Sequence, residues 1–459
     1  MSIEIAGSPQ KKPGNIQLSI LVSLVFLTAF FPRFLEWLNF PAAINFLHLI
    51  LVPWLCVFTL AKTRVKDRNQ IFIVKEMLFA LLIFFGITVT SAWLNNAGII
   101  NVVVDYLLLC EHFLLLLAII SISMTPERLA KFRACIVFAS FTNLFFAYIQ
   151  RFILNWHLRE GGPDNITGVF IGQGAGHVVG ASVAMTFGLY YFTTAKNRPL
   201  WLRCAVAVAA LGEVIISDAK QVLFVSMVAG ILLLVSQLQE IGKALTYLIV
   251  AVILGGGLFW ATQNLSAFAG FNTWVRPEIY GLDGEATLLK TSVFRIVPSY
   301  YESPLHPWLG LGPGHTVGRL GGWMLEEYNS LLESLGATQH PASDAVWAAV
   351  SESWLGDQSS FFSPLFGWAG IWGDLGFLGL ASFIYIWFVV WRRLCLDDIS
   401  RFLVLTVVVF GLIFSQMEEP GYMLYVASII GLRWQEHQCR KKDQSPFSSK
   451  SAQRFLQTR

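Results

Sequence analysis

Long apolar runs recur along this chain and constrain its fold more than any other feature. Of the 459 residues, 55% are hydrophobic and only 13% are charged, which is far less charge than a soluble protein of this size carries. A run of about 17–25 apolar residues crosses a bilayer as a helix, because a helix satisfies its own backbone groups. The sequence therefore predicts an all-α polytopic membrane protein. Twelve spans are predicted near residues 16–32, 42–61, 75–94, 102–122, 134–153, 176–195, 201–217, 221–236, 245–263, 370–391, 401–417 and 421–434.

Lysine and arginine concentrate in alternate connections between these runs. With the N-terminus placed in the cytoplasm, 24 of the 32 Lys and Arg residues lie in cytoplasmic segments and 8 lie in outer segments. This asymmetry obeys the positive-inside rule. We therefore expect a multi-pass protein whose N- and C-terminal tails are both cytoplasmic, with its first apolar run retained as a helix.

The predicted outer connection at residues 264–369 is much longer than the others. A loop of roughly a hundred residues is usually either functional or disordered, and its many aromatic residues argue against disorder. Apolar stripes predict two amphipathic helices in it, Trp323–Leu335 and Ala342–Leu355. The predicted organisation is 1–263 with transmembrane helices one to nine, 264–369 as the large outer loop, 370–434 with helices ten to twelve, and 435–459 as a cytoplasmic tail.

Motifs typical of soluble enzymes are missing from the sequence, which contains no Walker loop, HExxH or GxSxG. The segment Gly310–Gly314 follows no predicted strand, so a turn is favoured over a dinucleotide site. The six cysteines show neither CxxC nor Cys/His metal spacing. No cofactor, no metal ion and no nucleic-acid partner are expected.

Charged residues at the predicted outer membrane face carry the functional signal. Ser217–Lys220 interrupts two apolar runs, and a lysine there is costly unless it is solvated or paired. Lys220 is therefore either a snorkelling lysine paired with a neighbouring carboxylate or a cation that faces a lipid-linked phosphate. Arg295 is either an interfacial arginine or a bidentate ligand for a diphosphate. Arg276 and Arg319 carry weaker versions of the same signal.

Titratable residues leave further alternatives open. His315 is either a hydrogen-bonded loop histidine or a general base, because histidine titrates near neutrality. The predicted fourth span contains Asp105, Glu111 and His112. These residues either form a structural group that faces the bundle or provide a proton or ion path. Glu418–Glu419 either are structural or complement the nearby cations.

Four short motifs follow one another between roughly residues 75 and 430. They are Thr167–Phe170 followed by Gly172, His177 and Gly180; Ser217–Lys220; Arg295 upstream of Gly310–Gly314; and Gly373–Gly379. In order, spacing and topology they resemble the "TGTFG", "S-R/K", "GxGPG" and "E-x-G-x-x-G" segments of the O-antigen polymerase and O-antigen ligase superfamily of bacterial polysaccharide enzymes.

The resemblance implies metal-independent, inverting glycosyl transfer on the periplasmic face of the bacterial inner membrane. The implied donor is a glycan on polyprenyl diphosphate, and the acceptor is a sugar hydroxyl on another lipid-linked unit. Cations would stabilise the departing diphosphate, and a base would take the hydroxyl proton. The side chains expected at the site are the diphosphate-binding group Lys220, Arg295, Arg276 and Arg319 and the catalytic group Arg295, His315 and Glu302.

Two departures from the family pattern keep other hypotheses open. Ligases commonly carry a histidine before the last spans, whereas residues 358–364 contain none, and Lys220 stands where arginine is frequent. A polymerase of O-antigen or exopolysaccharide is the first expectation. An O-antigen ligase, a secondary transporter and a non-catalytic assembly scaffold are the alternatives. The expected partners are the lipid-linked glycan, membrane lipid, and polysaccharide chain-length or export proteins.

Overall fold

The computed structural model describes residues 18–63, 67–172, 175–237, 241–265, 268, 271–272, 276–356 and 360–443. All regular elements in these ranges are helices, which confirms the all-α prediction. Five helical segments are long and apolar enough to cross a membrane: Ala42–Lys62, Arg68–Leu94, Ile99–Ser121, Pro126–Phe152 and Gly367–Arg393. This chain is therefore a helical membrane protein. Some predictions fall outside the described residues: the cytoplasmic cations at 11, 12, 64 and 66, the start of the first span at 16–17, positions 358–359 and the tail at 444–459.

The α-helices are numbered here in chain order. The first ten are α1 (Leu18–Phe30), α2 (Pro32–Trp37), α3 (Leu47–Lys62), α4 (Arg68–Leu94), α5 (Ile99–Ser121), α6 (Pro126–Phe152), α7 (Gly176–Thr194), α8 (Leu200–Ile216), α9 (Lys220–Ser236) and α10 (Ile241–Asn264). The long loop holds α11 (Glu285–Lys290), α12 (Ser292–Ser299), α13 (His306–Leu309), α14 (Leu325–Glu327), α15 (Asn329–Leu332) and α16 (Pro341–Glu352). The chain then continues through α17 (Gly367–Arg393), α18 (Asp398–Phe410) and α19 (Pro420–Asp443).

A helix overlaps each of the twelve predicted spans, although twelve membrane crossings stay a prediction. The predicted eleventh span ends at 417, whereas α18 ends at Phe410 and a separate 3₁₀ turn covers Ser415–Glu418. The last helix, α19, runs to Asp443 and so takes in part of the predicted tail.

One predicted loop helix forms and the other is broken. The prediction at Ala342–Leu355 corresponds to α16. The prediction at Trp323–Leu335 is wrong as a single helix, because a π-turn at Leu320–Met324 is followed by the short helices α14 and α15. Tyr328 separates these two short helices with φ −109° and ψ 27°, which is outside helical geometry.

The core of the bundle surrounds α5. Within its most apolar stretch, 78% of the residues of α5 are buried inside the protein, whereas the corresponding value for α4 is 33%. Helices α3, α4 and α19 pack against it, and its side chains Leu109, Phe113 and Leu116 belong to the main hydrophobic cluster. Helix α5 is therefore the central helix, which explains why its polar residues are buried as well.

Three interhelical ion pairs mark the end of the bundle opposite the loop. Arg133 Nη2 lies 2.7 Å from Glu436 Oε1, Arg393 Nε lies 2.8 Å from Glu76 Oε2, and Arg433 Nε lies 2.6 Å from Asp397 Oδ2. The sequence predicts that all three arginines share one side of the membrane, and the fold brings them to one end. We call the other end, where the segment 276–366 packs, the loop end.

Helix α17 is interrupted at Gly376, and the interruption joins it to the loop. Gly376 adopts φ +65° and ψ −164°, a conformation that favours glycine. The interruption leaves the carbonyls of Gly373 and Asp374 free to accept hydrogen bonds from Leu311 N at 2.9 Å and Gly312 N at 3.0 Å. Backbone groups inside a membrane must be hydrogen-bonded. This joint supplies partners for the two helix carbonyls and at the same time anchors the loop.

We predict that Gly376→Ala disrupts the joint, because a Cβ atom there would lie 2.3 Å from the Trp308 carbonyl carbon and φ would be strained. The expected loss in the free energy of unfolding is about 2 kcal/mol or more. Gly86→Ala in α4 is the matched control, since a Cβ at Gly86 meets nothing within 4 Å. The measurement is thermal unfolding in detergent, followed by tryptophan fluorescence. If both variants unfolded at the wild-type temperature, the account would be contradicted.

Candidate functional site

Two adjoining cavities lie between the loop and the helix bundle. Counted with their open mouths and the solvent in them, they occupy about 520 and about 690 Å³. The residues common to both linings are Arg33, Phe170, Arg319, Trp323 and Glu419. We call this pair of cavities the two-arginine cavity.

Arg319 is held in the cavity wall by two consecutive glutamates. Its backbone N–H donates to Glu418 Oε2 at 2.5 Å, and its guanidinium pairs with Glu419. The guanidinium carbon also lies 4.9 Å from the centre of the Trp323 ring. The Arg319 side chain is 11% exposed, and its Nε has no partner among the described residues. A positive group with a spare donor therefore lies at the loop end.

Arg33 supplies the second guanidinium. It lies in the first turn of α2, and its Nη1 is 3.5 Å from Glu36 Oε2. A Cβ atom at Gly172 would come within 3.5 Å of the same Nη1, so the loop before α7 passes directly beside it. Two arginines on one cavity can bind an oxyanion through charge-assisted hydrogen bonds.

The predicted motif at Thr167–Phe170 forms part of this wall. Gln150 Oε1 accepts from Thr167 N at 2.9 Å and from Gly168 N at 2.8 Å. Asn143 Oδ1 accepts from Val169 N at 3.2 Å. These two buried amides of α6 fix the backbone so that Phe170 lines both cavities. The only sequence signal for their role is the presence of amides inside an apolar span.

Asp374 anchors the loop segment that leads to Arg319. Its Oδ2 accepts from Gly314 N at 2.9 Å, and its Oδ1 accepts from Thr316 N at 2.7 Å and Thr316 Oγ1 at 2.6 Å. The predicted turn at Gly310–Gly314 is therefore observed, and it is closed by a carboxylate from α17. In this structure the acidic residue of the motif Gly373–Gly379 is an anchor for the loop.

Glu418 is a second buried carboxyl beside this segment. Burial raises the pKa of Glu418 to about 8, and its Oε1 has no partner among the described residues. A Cβ atom at Gly318 would lie 3.4 Å from Glu418 Oε2 and 3.5 Å from Asp374 Oδ2. The loop backbone at Gly318 therefore passes between two acidic side chains, within van der Waals reach of both.

His315 is a buried loop histidine whose two ring nitrogens are both engaged. Its Nδ1 donates to Leu311 O at 2.8 Å, and its Nε2 lies 2.8 Å from Thr338 Oγ1. In the neutral ring the proton is on Nδ1, so Nε2 accepts from the Thr338 hydroxyl, whose oxygen accepts from Gly98 N at 3.0 Å. Burial favours the neutral imidazole and lowers the pKa of His315 to about 4.

The other predicted site residues lie outside the two-arginine cavity. Lys220 Nζ is 2.6 Å from Asp218 Oδ1, as in the snorkelling alternative. Arg295 is exposed and donates to Leu288 O at 2.7 Å. Glu302 is exposed as well, and Arg276 is half-buried. Of the predicted diphosphate-binding cations, Arg319 is the one that lines the cavity, and the roles of the others stay predictions.

A buried ionisable pair that sequence reasoning did not find connects α3 with α5. His48 Nδ1 lies 2.6 Å from Glu111 Oε2, and His48 also lines the two-arginine cavity. Neighbouring groups on α5 are less well paired: Asp105 Oδ2 and both ring nitrogens of His112 have no partner in the described part of the chain. His112 stacks on Trp387 instead, with ring centres 5.5 Å apart.

Among the described residues, no group of three or more His, Cys, Asp or Glu side chains is placed to hold a metal ion. No family model matches this chain, and no curated protein matches it. The resemblance to the O-antigen superfamily therefore depends on the short motifs alone.

We predict that acid loosens the loop through His315. The folded protein binds this proton less readily than the unfolded chain, because the pKa falls from 6.5 to about 4 on folding. The resulting stability is present above pH 6.5 and is lost as the pH falls towards 4, by about 3 kcal/mol in total. Limited proteolysis of residues 310–340 in detergent should speed up across that window.

The control for this prediction is His315→Gln, which carries no titrating group. This variant should be cleaved faster at pH 7, because it loses part of the network, and its cleavage should depend less on pH. Equal pH dependence in the wild type and the variant would contradict the role given to His315.

Proposed function

We propose that this protein polymerises polyprenyl-diphosphate-linked oligosaccharide units by metal-independent glycosyl transfer. The observation that carries the proposal is that Arg33 and Arg319 line the same cavity beneath the long loop. As the bond between the sugar and the diphosphate breaks, negative charge develops on the leaving group. Fixed guanidinium groups stabilise that charge, and they need neither a nucleotide site nor a metal ion to do so.

The aromatic lining of the cavity supports a lipid-linked glycan as the ligand. Phe170 and Trp323 line both parts, and Phe46 and Tyr328 line the smaller one. Apolar ring faces can pack against a prenyl chain or against the apolar face of a sugar ring. A site for a free inorganic anion would have little use for this many rings.

The proposed topology places the loop end in the periplasm. Arg133, Arg393 and Arg433 lie at the opposite end of the bundle, and the positive-inside rule assigns such an end to the cytoplasm. With twelve spans and both tails cytoplasmic, the reaction would take place at the outer face of a bacterial inner membrane. Lipid-linked units would reach the cavity from that leaflet.

Arg319 is the first choice among the predicted diphosphate ligands. It lines the two-arginine cavity, whereas Lys220 and Arg295 lie outside it, paired with Asp218 and bonded to the carbonyl of Leu288. The proposal keeps Lys220, Arg276 and Arg295 as outer contacts for the substrate. An O-antigen ligase would use the same donor and differ only in the acceptor, which would be a finished lipid core.

A secondary transporter is the second candidate, and one observation favours it. Helix α5 carries Asp105, Glu111 and His112 in the core, and each of them has a side-chain atom without a partner in the described part of the chain. Buried ionisable groups of this kind mark ion or proton paths in membrane proteins. A transporter, however, has no need of the long structured loop.

We predict that Arg319→Gln reduces polymer growth by at least ~100-fold, because one fixed charge at the leaving group is lost. The half-buried Arg203, which donates to the carbonyl of Phe192, provides the matched control Arg203→Gln. The measurement is the length distribution of lipid-linked and surface glycans in a deletion host that expresses each variant at equal level.

Single repeats on the lipid in the Arg319→Gln strain would support a polymerase. Full-length chains that remain on the lipid would indicate a ligase instead. Normal chain lengths in this variant would exclude Arg319 from the reaction, and unchanged glycans in the deletion host would reject glycosyl transfer altogether.

A further inference from the structure

The His48–Glu111 pair lies at the inner wall of the two-arginine cavity. His48 is in the first turn of α3, and Glu111 is near the middle of α5. Both side chains are almost fully buried, at 5% and 1% exposure, and 2.6 Å separates Nδ1 from Oε2. His48 and Arg319 line the same part of the cavity. A buried carboxylate thus contacts an imidazole that lines the same cavity as a guanidinium.

The carboxylate determines which nitrogen of His48 is free. An ionised carboxylate only accepts hydrogen bonds, so Nδ1 carries the proton that points to Glu111. The lone pair is then on Nε2, which is the ring nitrogen left for a group in the cavity. A buried carboxylate in this position also stabilises the imidazolium that forms when Nε2 takes up a proton.

We propose that His48 is the general base of the glycosyl transfer and that Glu111 is its positioning residue. This inference depends on the function proposed above. The acceptor hydroxyl gives its proton to His48 Nε2 while its oxygen forms the new bond to the anomeric carbon. The bond from that carbon to the diphosphate oxygen breaks, and the leaving group keeps the electron pair beside Arg33 and Arg319. His48 later returns the proton to solvent.

The bases predicted from the sequence are less well placed for this step. His315 does not line the two-arginine cavity, and both of its nitrogens are engaged in the loop network. Glu302 is exposed on the loop. Glu418 accepts the backbone N–H of Arg319, so its first role is to hold the arginine. His48 combines a position on the cavity wall with a ring nitrogen, Nε2, that has no hydrogen-bond partner in the described part of the chain.

The competing explanation is that His48 and Glu111 only tie α3 to α5. The variant His48→Asn separates the two roles, because an asparagine amide can donate to Glu111 as Nδ1 does but cannot take up a proton at neutral pH. Glu111→Gln removes the charge and keeps the shape. The control is Glu76→Gln, which loses an interhelical ion pair with Arg393 at the opposite end of the bundle.

The experiment uses membranes from a deletion host that carries the full-length protein or a variant, with the host's own lipid-linked glycans radiolabelled as the substrate. The rate of glycan elongation per amount of folded protein is measured between pH 5 and pH 8. Around His48 the groups that can influence its titration are Glu111 on α5, Arg33 on α2, Arg319 and Tyr328 in the loop, and Glu419 before α19.

We expect His48→Asn to lower the rate by ~100-fold to 10,000-fold and to abolish the acid limb of the pH–rate profile. Glu111→Gln should lower the maximal rate and move that limb to lower pH, because the imidazolium loses its carboxylate. Donor affinity, read from the KM, should stay near the wild-type value in both variants. Glu76→Gln should match the wild type in rate and in profile.

A His48→Asn variant with the wild-type rate, or with an unchanged acid limb, would overturn the assignment. If that variant did not fold, Glu111→Gln would decide, since a shifted acid limb supports the base and an unshifted limb rejects it. Absence of any elongation by the wild type, with normal elongation in the empty host, would instead reject the proposed function and leave the pair as a tie between helices.

Discussion

The joint between the interrupted helix α17 and the loop is the constraint on which the rest of the site depends. At Gly376 the helix gives up its regular hydrogen bonds, and the freed carbonyls of Gly373 and Asp374 accept the backbone of the loop instead. The Asp374 carboxylate then binds the next turn at Gly314 and Thr316. Buried polar groups must be hydrogen-bonded where water is scarce. In this joint the helix supplies the acceptors and the loop backbone supplies the donors.

The position of Arg319 follows from that joint. Arg319 lies three positions after the anchored Thr316, and Glu418 accepts its backbone N–H, so its backbone is fixed from two sides. A cation positioned in this way loses little freedom when an anion binds, which is how a preorganised site stabilises developing charge. The amides of α6 act on the cavity lining in the same manner, because they hold the segment that carries Phe170.

The helices could be predicted from the sequence because apolar length is a local signal. The site could be predicted only in part. The pairing of Lys220 with Asp218 and the turn at Gly310–Gly314 depend on neighbouring residues. The sequence therefore allowed a paired lysine and a turn to be predicted at these positions. The cavity is non-local, because Arg33 and Arg319 line it from distant parts of the chain and His48 lies 63 residues from Glu111. No local pattern brings such residues together, and the break at Gly376 is equally hidden inside an apolar run.

The most direct measurement is a cryo-electron microscopy structure of the protein in lipid nanodiscs with added polyprenyl diphosphate. The account predicts density for the diphosphate between the guanidinium groups of Arg33 and Arg319, beneath a loop anchored on Asp374. Diphosphate density at Lys220 and Arg295, with the two-arginine cavity empty, would contradict it.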